Sequence, residues 1–130
     1  MTPPILLDTN ALFWILNGDP KLSKRVQAAV VSPLSDIRVS VVSAWEVVLK
    51  FQSEKLSFDI PIEQVLSEIL SGSTWPVPTV RPEHITELLD LPPLHRDPFD
   101  RILIAQARRE GLTPATSDSR IREYDVSTIW

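Results

Sequence analysis

Four acidic residues, Asp8, Glu46, Asp100 and Asp118, stand where strand-like sequence gives way to helical periodicity. Asp8 follows "PILL", Glu46 follows the β-branched run of residues 37–42, Asp100 opens the apolar "RILIAQA" stretch, and Asp118 follows "LTPATS". In open sheets with crossover helices, ligands bind beyond the carboxyl ends of the strands. Neighbouring strands would therefore bring these carboxylates together. Several anions in one pocket repel and raise one another's pKa unless a cation is bound. Hard oxygen donors, with no cysteine and no histidine pair, select Mg²⁺ or Mn²⁺ over zinc. Such an ion, shared between carboxylates and phosphate oxygens, suits phosphodiester hydrolysis.

Each acid also has a structural reading. "SAWE" matches a capping box with Ser43 as N-cap and Glu46 reaching back. In "DPFD", Asp97 caps, Pro98 takes the first helical position and Asp100 faces the positive end of the helix dipole. Asp118 could cap the helix after it. Asp8 could end a strand, although Thr9 and Asn10 would suffice as caps there. Capping alone does not require an acid at every one of these junctions.

The elements that must position the acids follow from periodicity. Residues 4–8 read as a short buried strand, followed by a helix ending at Asn17-Gly18. Residues 20–31 are an amphipathic helix, 37–42 a strand, 43–55 a helix, and 60–72 a helix with Pro61 near its start. Residues 75–80 are a strand kept short or at an edge by two prolines. Then come a helix over 82–90, a rigid corner, and a helix closing at Glu110-Gly111. A strand over 112–116, a short helix over 117–124 and an edge strand over 126–130 complete the chain. Strands alternating with helices predict an α/β fold with a mostly parallel sheet.

The 130 residues fit one domain, residues 1–130, with no repeat or composition break. The absence of cysteine excludes disulfides and thiolate chemistry. The beginning of the chain lacks the pattern of a secretory signal, and no apolar run would span a bilayer, so a cytoplasmic protein is expected. A formal net charge of −4 argues against binding nucleic acid through bulk positive charge. Cations gathered by carboxylates would reverse the local field.

"LLDTNALFWIL", "VSVVSAWEVVLK", "LPPLHRDPFDRILIAQARREGL" and "TSD" followed by a terminal strand resemble the PIN domain, and within it the VapC-type ribonuclease toxins of toxin–antitoxin pairs. The resemblance runs the length of the chain. It implies a three-layer α/β/α sandwich around a central, mostly parallel sheet. It makes Asp8, Glu46, Asp100 and Asp118 the catalytic acids, with Asp8, Asp100 and Asp118 holding Mg²⁺ or Mn²⁺. It ranks Asp97 below them as a helix cap, and places Thr9, Asn10 and Thr116 nearby to orient the carboxylates. Two positions depart from the pattern. Asn10 stands where many relatives have histidine, and Pro114 stands where an apolar residue is usual, so a short strand or a shifted Asp118 is expected.

The implied activity is a metal-dependent endoribonuclease, with RNA as substrate, a cognate antitoxin lying along a groove, and a homodimer. Arg96, Arg101 and Arg120 flank the acids and could hold RNA phosphates, against an equal case for plain surface. Lys50 and Lys55 carry a weaker claim. His84 and His95 read as surface or loop residues, and Trp14 and Trp45 as core; Trp75 and Trp130 could stack on bases. Two other functions compete. A phosphatase using Asp8 as nucleophile is disfavoured by Asn10, where a second aspartate is needed. A non-catalytic module binding metal or a partner protein would be expected to lack one of the acids, and all are present.

Overall fold

Three short apolar segments pair in the computed structural model, which describes residues 3–130. They are β1 (Ile5–Leu7), β2 (Ile37–Val39) and β3 (Thr113–Ala115), all parallel, in the order β2-β1-β3. Leu7 is level with Val39 on one side and Ala115 on the other. The three strands therefore end together, and Asp8, Ser40 and Thr116 follow side by side at one edge, all buried.

Alternation along β1 sends its side chains to opposite faces. Leu7 packs with Val39 and Ala115 against Leu12 of α1 (Thr9–Asn17), Val26 of α2 (Lys24–Val31), Val47 of α3 (Val41–Gln52) and Val65 of α4 (Ile62–Leu70). Leu6 faces the other way, onto Leu103 and Ala107 of α6 (Pro98–Glu110). The result is the expected layering, helices over both faces of a parallel sheet. Two short helices, α5 (Pro82–Glu87) and α7 (Ser119–Arg122), flank α6 in the chain. Gly18 and Gly111 end α1 and α6 in the left-handed conformation, as their positions predict.

The predicted outer strands are reduced, and proline explains the first. Val39 and Val41 donate to the carbonyls of Pro76 and Pro78. The reciprocal donor at residue 78 does not exist, because proline has no N–H. Residues 75–80 thus lie along β2 without completing a ladder. At the opposite edge the C-terminal segment makes one bridge, Ala115 to Ile129. Pro114 is tolerated within β3 because Thr113 and Ala115 make the bonds toward β1, while its own carbonyl accepts from Ile129 on the outer side.

The capping box at Ser43 is not formed. Helix α3 begins three residues earlier, with Ser40 as N-cap accepting from the Val42 amide at 3.1 Å. This phase turns Glu46 and Val47 inward and Trp45 outward, so Trp45 is 59% exposed instead of core, packed edge-on against Phe99. His84 is also not a surface residue. It is 1% exposed, its Nδ1 accepting from the Arg81 amide at 2.9 Å and its Nε2 lying 2.9 Å from Glu110 Oε1. A histidine one turn into a helix can reach back to the free amide at its start.

The two layers are pinned by a buried polar chain. Ser40 Oγ donates to Gln106 Oε1 of α6 at 2.7 Å, and Gln106 Nε2 donates to the Thr79 carbonyl. Because Ser40 and Gln106 are fully buried, neither can be satisfied by water instead. Gln106→Leu is expected to lower unfolding stability by about 1–3 kcal/mol, read by urea titration, since it leaves the buried Ser40 hydroxyl without its acceptor.

Candidate active site

Helix starts deliver the acids to the carboxyl edge of the sheet. Asp8 leaves β1 and is itself the N-cap of α1, its Oδ1 accepting from the Ala11 amide at 2.7 Å. This corrects the expectation that its carboxylate is unneeded as a cap: one residue separates β1 from α1, and that residue must cap. Asp97 caps α6, accepting from Phe99 and Asp100 at 2.9 and 3.2 Å. Asp118 caps α7, accepting from Arg120 at 2.8 Å. Asp100 stands in the first turn of α6, one turn beyond its cap.

Glu46 comes from the middle of α3. Its position relative to Asp8 is set by Thr9 Oγ1 and Ser43 Oγ, 3.2 Å apart and both buried, which tie the start of α1 to the turn of α3 preceding Glu46. One carboxylate oxygen of Glu46 lies 3.7 Å from Lys50 Nζ. The other, Oε1, is buried and has no hydrogen-bond partner.

The acids lie within electrostatic reach of one another. Asp8 is pushed up to about 6, chiefly by burial, with Asp118 and Glu46 adding repulsion against the bonds from Thr116 and Ala11 that favour its charge. Asp100 is pushed up to about 7, again mainly by burial and then by Asp97, Glu46, Asp118 and Asp8. Asp118 moves the other way. Arg120 grips both its oxygens, at 3.3 and 3.0 Å, and holds its carboxyl below the usual range.

Donor chemistry here fits a hard divalent ion. The oxygens are carboxylate, one is buried and orphaned, and two of the acids resist ionising without a nearby positive charge. Among the described residues no three His, Cys, Asp or Glu side chains already form a metal cage. Mg²⁺ is commonly held through one or two carboxylates, with water filling the rest of its shell. Glu46 keeps one oxygen unpartnered, while Asp8 also caps α1 and Asp118 is shared with Arg120.

Other predicted residues fall in different places. Thr116 is buried beside Asp8 and also accepts from the Asp118 amide. Asn10 is exposed on the first turn of α1. Arg101 is turned inward, donating to the carbonyls of Pro92 and Leu91 and to the Tyr124 hydroxyl, whereas Arg96 is exposed. His95, read as a surface or loop residue, lies in a loop but has a buried side chain, with Nε2 3.4 Å from Asp100 Oδ2 and Nδ1 2.9 Å from Tyr124 Oη. The hint was its place five residues before Asp100; nothing in the spacing pointed to Tyr124.

An apolar groove of about 510 Å³ is lined among others by Val41, Trp45, Ile85, Phe99 and Ile102. Phe99 stands between Asp97 and Asp100 in the chain. Among the described residues no helix is long and apolar enough to cross a membrane.

The fold is shared with solved structures. FitAcB from Neisseria gonorrhoeae aligns over 97% of this chain and 96% of its own, at 22% identity and TM-score 0.67. FitAB bound to the IR36 DNA fragment aligns over 96% and 93%, at 20% identity and TM-score 0.66. VapBC2 from Rickettsia felis, bound to a DNA fragment from their promoter, aligns over 97% and 96%, at 16% identity and TM-score 0.69. No curated protein matches the sequence. The PIN domain model matches residues 5–127, and with that span the chain belongs to the PIN domain family.

Proposed function

We propose that the protein is a metal-dependent endoribonuclease and the toxin of a toxin–antitoxin pair. The observation that carries this reading is the gathering of acids from separate stretches at one sheet edge, with Glu46 Oε1 buried and unpartnered. Asp8, Asp100 and Glu46 would hold Mg²⁺ or Mn²⁺, with Asp118 contributing when Arg120 yields. A bound divalent ion supplies Lewis acidity that makes water nucleophilic at neutral pH and stabilises charge on the leaving oxygen. The chain's part is to hold these carboxylates in place: α1 and α6 direct Asp8 and Asp100 through their first turns, and Thr9 and Ser43 hold α3 against α1. Exposed Arg96, and Arg120 beside Asp118, would meet RNA phosphates.

The apolar groove supports a partner protein. An amphipathic antitoxin segment laid there would run past Asp97 and Asp100, the contact mode in which an apolar helix face fills a groove. A homodimer belongs to the same proposal. One observation favours the alternative of a non-catalytic module: the described carboxylates are not drawn into a ready-made cage.

Purified, antitoxin-free protein is expected to cleave RNA with Mg²⁺ or Mn²⁺ and to stop with chelator. Asp8→Asn and Asp100→Asn should each lower the rate by at least about a hundredfold, since even the outer-shell partners of a metal are worth about tenfold to a hundredfold. Cleavage that survives chelation or both substitutions would contradict the mechanism.

Stability should carry the same signature. The folded pKa values of Asp8 and Asp100 lie above the ordinary carboxylate value, so the native state binds more protons than the unfolded chain between about pH 4 and 7. The metal-free protein is therefore expected to lose stability as pH rises through 6 and 7, Asp8 alone costing roughly 3 kcal/mol. Thermal melts from pH 4.5 to 7.5 should show this loss, a flatter profile in the Asp8→Asn/Asp100→Asn double variant, and recovery on adding Mn²⁺ at pH 7.5. A wild-type profile that rises with pH would contradict it.

A further inference from the structure

A hydrogen-bonded chain, Arg101 to Tyr124 to His95 to Asp100, runs from the body of the protein to the acids. Its polarity is fixed at one end. A guanidinium can only donate, so Arg101 Nη1, 3.0 Å from Tyr124 Oη, makes that oxygen an acceptor. Tyr124 is 3% exposed, so its own proton must find a protein acceptor. The remaining polar atom bonded to it is His95 Nδ1, at 2.9 Å. With the hydroxyl proton directed at it, Nδ1 accepts, which puts the ring proton on Nε2. That nitrogen points at Asp100 Oδ2.

We infer that His95 is a positioning residue, held by Tyr124 as the Nε2–H tautomer so that it donates to Asp100 and turns that carboxylate toward the metal site. Arg101 anchors the device. Its bonds to the Pro92 and Leu91 carbonyls tie the corner that carries His95 to α6, and its guanidinium stacks 6.0 Å from the Tyr124 ring centre. The imidazole packs edge-on against the same ring, which limits its rotation. The 3.4 Å separation from Asp100 is long for a hydrogen bond, as contacts that tighten only when a site is loaded often are. Outer-shell donors of this kind orient ligands and raise metal affinity. The tautomer stands on the hydrogen bonds alone; the link to metal rests on the nuclease reading.

Nitrogen-15 NMR of the metal-free wild type is expected to show the His95 ring proton on Nε2. In Tyr124→Phe, which keeps the ring and loses the hydroxyl, the Nδ1–H form should appear. Mn²⁺ titration should show roughly tenfold weaker binding for Tyr124→Phe and for His95→Leu. His95→Gln, whose amide nitrogen overlays Nε2, should restore most of it. An amide spectrum matching wild type controls for folding in each variant. Nδ1–H in the wild type, or undiminished Mn²⁺ binding by both Tyr124→Phe and His95→Leu, overturns the inference while leaving the nuclease reading intact. Wild type with Nε2–H that binds no Mn²⁺ supports the tautomer but overturns both the nuclease reading and His95's role toward metal.

Discussion

Asp8 and Asp100 are carboxyl groups taken largely out of water and set near other carboxylates. Burial opposes their charge first, and the fields of Glu46, Asp97 and Asp118 oppose it further. A protein gains no stability from such an arrangement at neutral pH; a cation would relieve it. Much else in the molecule serves to hold these groups together. The strands end level, so that Asp8, Ser40 and Thr116 emerge side by side, and three polar contacts, Thr9 to Ser43, Ser40 to Gln106 and Gln106 to Thr79, lock the surrounding helices.

Helix capping and metal chemistry are complementary here. Asp8, Asp97 and Asp118 each accept a backbone amide at a helix start. The positive end of each helix stabilises the charge it receives, and the same geometry aims the side chain past the end of the sheet. Asp97 engages two amides and Asp118 is gripped by Arg120. Asp8 and Asp100 remain the acids whose charge the protein most opposes, and Glu46 keeps one buried oxygen unpartnered.

The parallel sheet and most of its helices were legible in local patterns: apolar runs, prolines at helix starts and glycines at their ends. What local patterns could not supply was partnership across space. Pro76 and Pro78 announced a weak strand, but only their position beside Val39 and Val41 shows which donors are missing. "SAWE" has the composition of a capping box; the competing cap at Ser40, held by Gln106 sixty-six residues away, sets the phase instead and swings Trp45 into solvent. His84 and His95 looked unremarkable because their partners, Glu110 and Tyr124, are twenty-six and twenty-nine residues distant. The four acids could be picked out because a carboxylate at a strand-to-helix junction is a local feature, even though their convergence is not.

The most direct test is anomalous diffraction from crystals of the free protein soaked in Mn²⁺. A manganese peak coordinated by Asp8 or Asp100, with Glu46 in or next to its shell, is the predicted result. Crystals in which Mn²⁺ binds elsewhere, or in which Asp8, Glu46 and Asp100 point to separate patches of surface, would contradict the account.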